Sequence, residues 1–274
     1  MFSGIDRRAQ EEDGCIDPPA NRGVLTSQVF GRNLVVLPRT GSTNDVAKEL
    51  AVQGAPEGTV VVADEQTAGR GRLDRSWLAP AGACLLCSLL FRPALAAAQA
   101  GRLTMVCALA AADAISAVSG LAAALKWPND LVVAAGRRKL AGVLTESSLV
   151  GDRLAFVVVG IGINVNVPAA TLPALDARAA SILEQTGRPV DRAVLLAALL
   201  AGVEQRYARL RAGDSPHAEW AARLTTLGQA VQVYTASGVL HGVAEAVDED
   251  GALLLRAADG ACHRLLAGDV TLAD

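Results

Sequence analysis

Short runs of valine, leucine and isoleucine alternate along the chain with turn-forming stretches, and this pattern predicts its elements. Residues 34–37 form an apolar run that predicts a short strand ended by Pro38. In the stretch from Thr40 to Leu50, Ser42 or Thr43 suits a helix N-cap. Asp45 falls in the first turn, and Val46 and Leu50 share a face. Residues 59–63 read as a valine-rich strand, 64–75 as a glycine–arginine loop, and 83–91 as a strand closed by Pro93. Residues 101–118 place Leu103, Val106, Ala110 and Ala114 at helical spacing. Residues 124–127 lead into a turn at Pro128-Asn129-Asp130, followed by a short strand over 131–133 and a basic turn over 136–138. Strands are predicted over 140–146 and 154–160, and helices from about 177 to 227, clearest over 189–211. From Gln229 onward four short strands, 231–234, 239–247, 253–257 and 262–266, are separated by turn signals and predict a small all-β barrel.

A length of 274 residues suits about two domains. Hydrophobic residues make up 51%, enough for a sizeable core, but aromatics are only 3%, so that core is aliphatic. The net charge of -3 argues against a general nucleic-acid binder, so anion binding must come from local clusters. No apolar run is expected to reach the roughly 20 residues of a membrane span. Residues 1–13 carry charges of both signs and no signal-peptide core, which points to the cytoplasm. Five cysteines, an odd number, fit reduced thiols rather than a disulfide framework.

Several familiar sites are missing from the sequence. It has no P-loop motif, and Gly160-x-Gly162 lacks the third glycine of a dinucleotide fingerprint. Cys84 and Cys87 have metal or redox spacing but sit within a strand, where residues three apart face opposite ways, so both read as core. His217, His241 and His263 have no metal-ligand spacing, and no metal site is expected. Cations remain at Arg70, Arg72 and Arg75 in the loop, at Lys126, and at Arg137-Arg138-Lys139. Each adjoins a strand, so they could gather at one end of a sheet. Ser42, Thr43, Asn44, Gln66, Asn129 and Asn164 add neutral hydrogen-bonding groups, and Asp130 a carboxylate. Such a cleft suits a polyanionic substrate, with nucleotide handling the natural guess.

Five motifs occur in order: Gly41-Ser42-Thr43-Asn44, Gln66-Thr67-Ala68-Gly69-Arg70-Gly71-Arg72, Lys126-Trp127-Pro128-Asn129-Asp130, Lys139-Leu140-Ala141-Gly142 and Gly160-Ile161-Gly162-Ile163-Asn164. Over residues 34–274 the chain resembles the biotin protein ligases, the biotin–acetyl-CoA-carboxylase ligases. The resemblance implies an α+β fold: a lead-in over 1–30, a mixed β-sheet catalytic domain of class II synthetase-like type with flanking helices over 31–226, and an SH3-like β-barrel over 227–274. It implies two steps with ATP and biotin as substrates and Mg²⁺ on the phosphates. Biotin becomes biotinyl-5′-AMP, then passes to a lysine of a biotin carboxyl carrier domain. It implies no nucleic-acid or membrane partner, and a monomer or homodimer. The stretch before Gly41 shows no helix-turn-helix pattern, so a ligase without repressor function is expected.

By the same resemblance Ser42, Thr43, Asn44, Gln66, Gly69, Arg70, Gly71, Arg72, Lys139 and Gly142 would contact biotin. Arg72, Arg75, Trp77, Lys126, Asn129, Lys139 and Asn164 would contact the nucleotide. Lys139, Arg70 and Arg72 would cancel the repulsion between two anions, and Asp130 would orient the acceptor lysine. Trp77 would shield the adenine or pin the loop. The loop is expected to be mobile until ligand orders it over the adenylate and excludes water. Alternatives are a lipoate-type acyl ligase and, from another class, a non-catalytic ligand- or RNA-binding regulator.

Overall fold

The computed structural model describes residues 27–73, 75–135, 137–151, 153–235 and 238–272. The expected lead-in lies mostly outside these residues. Strand β1 (Leu34–Thr40) runs parallel to β2 (Val60–Gln66), and helix α1 (Thr43–Val52) supplies the crossover that a parallel pair needs. β1 passes through Pro38 rather than ending there. It is an edge strand of its sheet, so the position without an N–H can face away from the ladder. β3 (Cys84–Phe91) pairs antiparallel with β2, and all eight of its residues are buried. Both of its faces are covered, which is why its sequence is apolar throughout, apart from Ser88, instead of alternating. Cys84 and Cys87 enter two different clusters of the core, as their spacing on a strand predicts.

Helix α2 (Gly101–Ser119) follows, then a meander of β4 (Ala123–Lys126), β5 (Asp130–Val133), β6 (Lys139–Val150) and β7 (Arg153–Asn164). The mixed sheet has the order β1-β2-β3-β7-β6-β5-β4. β7 extends through Gly160–Asn164, beyond its predicted end, because β3 continues to pair with it as far as Cys84 opposite Asn164.

The helical region consists of α3 (Leu172–Leu175), α4 (Ile182–Thr186), α5 (Arg192–Arg211) and α6 (His217–Ala222). Residues 177–180, expected to be helical, are not. Lys139 N–H donates to Arg178 O at 2.7 Å and Ala180 N–H to Lys139 O at 2.8 Å. This pairing with β6 overrides an alanine-rich helical preference. The segment Ala97–Ser119 has a mean hydropathy of 1.4 and is long and apolar enough to cross a membrane. That corrects the expectation that no segment is. In this fold the segment is 61% buried, with Leu103, Val106, Leu109 and Ile115 in the main core.

The C-terminal strands β8 (Ala230–Thr235), β9 (Gly238–Val247), β10 (Leu253–Arg256), β11 (Cys262–Leu265) and β12 (Asp269–Leu272) form an antiparallel sheet ordered β11-β10-β9-β8-β12. β12 was not anticipated: it is short, and its pairing with β8 is non-local. Val231, Val233, Leu253 and Leu255 belong to the same core as the first sheet. Trp127, only 1% exposed, ties the two together: its Nε1–H donates to Gly251 O at 2.9 Å. Trp127 is thus a structural member of its motif.

Candidate active site

Gly142 of β6 and Gly162 of β7 are register partners, and they form a patch of bare backbone. The Trp77 ring lies on it. A Cβ at Gly162 would come within 2.7 Å of that ring and one at Gly142 within 3.2 Å. The close approach therefore requires glycine. Beside this floor stands the start of α1, where Ser42, Thr43 and Asn44 are buried. Ser42 holds the N-cap position without a side-chain capping bond, which leaves its hydroxyl for the cavity. Thr43 donates from its backbone N–H and its hydroxyl to Gln66 Oε1, at 2.7 and 3.0 Å.

The glycine–arginine loop folds back on itself. Trp77 N–H donates to Gly69 O at 2.8 Å, and Gly71 N–H donates to Arg75 O at 2.7 Å. This hairpin carries Trp77 onto the glycine floor. The cavity beneath it has a volume of about 270 Å³. Ser42, Thr43, Asn44, Gln66, Arg70, Gly71, Arg72, Arg75, Trp77, Lys126, Asn129, Asp130, Lys139, Gly142 and Asn164 all line it. Arg70 and Lys139, from distant stretches of sequence, therefore meet at one cavity. Gly69 does not line it: its Cβ position is 2.5 Å from Trp77 O, so it serves the packing of the hairpin.

The cations are not equivalent. Lys139 Nζ is 2.7 Å from Asp130 Oδ1 and 5.5 Å from the centre of the Trp77 ring. Arg70 forms a two-pronged pair with Asp45 at 2.6 and 2.7 Å. Its charge is already balanced by that pair. Those bonds hold the Asp45 carboxyl well below the usual carboxylate range. Arg75 pairs with Asp269 of β12. Arg72, Lys126 and Arg178 form no ion pair with a described residue. Burial pushes the Arg72 guanidinium pKa down, against the pull of Asp269 and Asp130. Burial lowers Lys126 as well, with Asp130 opposing and Arg178 and Lys139 adding like-charge repulsion. Desolvated cations without an ion-pair partner raise the field available to an incoming anion.

Asn129 Nδ2–H donates to Val143 O at 2.7 Å, which leaves its Oδ1 3.5 Å from Arg72. Asn164 Nδ2–H donates to Ala180 O at 3.0 Å, so this carboxamide also braces the cavity wall. Sequence reasoning missed Arg178, which comes from the segment misread as helix, and Asp269, Val270 and Thr271, which come from the missed strand. It also missed the partners of Arg70. Asp45 was noticed only as a helix-start residue, and no local signal marks Glu146. Among the described residues no group of three or more His, Cys, Asp or Glu is placed to hold a metal.

A mixed sheet whose first helix and glycine-paired strands frame a cation-lined cavity, joined to a small C-terminal sheet, defines the biotin and lipoate ligase class. Residues 36–164 match the biotin/lipoate A/B protein ligase family, and residues 226–272 match the biotin protein ligase C terminal domain. The biotin–acetyl-CoA-carboxylase ligase of Paracoccus denitrificans is 38% identical over 237 residues, covering 82% of this chain and 95% of that protein. Its counterpart in Mycobacterium tuberculosis is 35% identical over 265 residues, covering 92% and 96%. The biotin protein ligase from Aquifex aeolicus in complex with biotin and ATP superimposes with a TM-score of 0.71 at 29% identity, covering 88% of this chain and 99% of that one. The chain belongs to the biotin protein ligase family.

Proposed function

We infer that this protein is a biotin protein ligase, which activates biotin with ATP and transfers it to a lysine of a biotin carboxyl carrier domain. The observation that carries this reading is the meeting of Lys139, Arg72 and Lys126 from three separate elements over one glycine floor. In the first step a biotin carboxylate oxygen attacks the α-phosphorus of ATP, and the bond to the pyrophosphate oxygen breaks. Two anions must approach each other, so the barrier falls where fixed cations face the charge that develops. Arg72 and Lys139 take that role, with Lys126 and Arg178 on the nucleotide side. Ser42, Thr43, Asn44 and Gln66 bind the polar head of biotin, and its aliphatic chain lies along Gly142, Gly162 and Trp77.

In the second step the acceptor amine attacks the acyl carbon, the bond to the phosphate oxygen breaks, and AMP leaves. Asp130, held by Lys139, orients that amine. Asn129, Asn164 and Arg75 frame the nucleotide end, and Gly71 lets the loop backbone approach the adenylate. Of the carboxylates lining the cavity, Asp130 is engaged with Lys139, Asp269 with Arg75, and Asp176 accepts from Arg178 N–H; among the described residues they make no resident metal site. Mg²⁺ therefore belongs with the ATP phosphates as part of the substrate, and no step is assigned through it.

We place the boundary between the catalytic domain and an SH3-like barrel at residues 226/227, and the enzyme in the cytoplasm. ATP–pyrophosphate exchange tests the reading. Exchange that requires biotin is expected. Exchange with lipoate in its place would reassign the enzyme to the lipoate type, and no acid-dependent exchange would remove the ligase reading.

A further inference from the structure

Arg70 grips its own protein, and the residues it grips lie outside the cavity. Its two terminal nitrogens face the two oxygens of Asp45 at 2.6 and 2.7 Å, and one is 3.3 Å from Glu146 Oε2. Lys48 Nζ closes the group, 2.9 Å from Asp45 and 2.8 Å from Glu146. Two carboxylates thus meet two cations, and Arg70 has no charge left over for a phosphate. A planar guanidinium bound through both prongs is also fixed in direction, as a lone lysine would not be.

The group joins three elements. Asp45 and Lys48 lie on α1, Glu146 on β6 and Arg70 on the loop. Asn44 Nδ2–H donates to Glu146 Oε2 at 2.6 Å, which ties the first turn of α1 to the same point. On the loop side, Arg70 bridges Ser76, and the neighbouring Gly69 accepts from Trp77 N–H. Any displacement of Arg70 therefore drags Trp77 off the glycine floor, and Arg72 two residues on moves with it.

We propose that Asp45, with Glu146 as second anchor, is a positioning residue for ligation: it sets the loop through Arg70 and thereby places Trp77 and Arg72 over the acyl-adenylate. Arg70 is the loop's grip on α1 rather than a cation for the reacting phosphate. This rests on the ligase reading.

The test uses the full chain, with biotinyl-AMP formed in place and its dissociation followed by dilution into unlabelled biotin. Asp45→Asn keeps the size of the side chain and removes its charge. It is expected to release biotinyl-AMP about three- to tenfold faster, the range for a partly exposed two-pronged pair. The KM for biotin should rise by a similar factor, while transfer from adenylate still bound stays within about twofold. Asp45→Glu should restore most of the retention, which a purely structural defect would not allow. Arg70→Ala should match Asp45→Ala, and the double variant should be no worse than either. If Asp45→Ala fails to fold, the Asn and Glu variants carry the comparison. Wild-type release from Asp45→Asn, or effects that multiply in the double variant, would overturn the proposal. A wild-type protein that makes no biotinyl-AMP would instead sink the ligase reading, so the two failures are distinct.

Discussion

A single methyl group added at Gly162 tests the glycine floor. The new Cβ would lie 2.7 Å from Trp77 Cε2 and 2.9 Å from Cζ2 and Nε1. Carbon atoms rest at about 3.5 Å or more, so the gap must open by about 0.8 Å. The strand cannot yield, because Gly162 is held on both sides, by Leu86 of β3 and Gly142 of β6. The half-buried indole must therefore rise, and it takes with it one wall of the cavity proposed to hold biotin. Overpacking of this kind costs about 1–3 kcal/mol. If biotin lies along this contact, as proposed, the strain falls on its binding, and Gly162→Ala should weaken biotin affinity by about 5- to 150-fold. Isothermal titration with biotin alone measures this directly. The melting temperature should fall by about 2–4 °C for each kcal/mol of the overpacking cost, so by about 12 °C at most. The KM for ATP should stay within about twofold. Wild-type affinity for biotin would refute the floor. A collapse in melting temperature, with the KM values for biotin and ATP rising together, would show that glycine is needed for folding and not for the ligand.

Lys139→Ala removes the cation nearest Asp130 and should slow adenylate formation about 10²–10³-fold, read as pyrophosphate release in a single turnover; a normal rate would contradict its role. Trp127→Ala should cost about 3–5 kcal/mol of stability, measured by denaturant unfolding. Trp127→Phe should cost about 1 kcal/mol in the same assay, for the lost bond to Gly251 O. At pH 8 an alkylating reagent should label exposed Cys262 while Cys84, Cys87 and Cys107 stay unmodified, as peptide mass spectrometry would show. Burial pushes the Cys84 and Cys87 thiols up to about 12 from an ordinary 9.0, so the folded state holds their protons after the unfolded state has lost them. Their contribution to stability is complete below about pH 9 and is lost as pH climbs toward about 12, which a series of melts across that range would follow.

Whatever one stretch of chain encodes within itself could be read directly. Apolar periodicity marked α2 and α5, a valine run marked β2, a leucine-rich run marked β3, and turn residues marked the hairpins of the C-terminal sheet. The five motifs named many of the residues that line the cavity, because each motif is contiguous. Tertiary contact decided the rest, because it joins residues that no local pattern relates. Pro38 stays within a strand only because β1 is an edge, and residues 177–180 are extended only because Lys139 offers them a partner. β12 exists because β8 is there to pair with it. Charge depended on folding most of all. Arg70, Arg72 and Arg75 look alike in sequence, yet Asp45 neutralises the first, burial desolvates the second and Asp269 holds the third. A side chain's identity sets its formal charge, but only the groups folded around it decide how much of that charge a substrate meets.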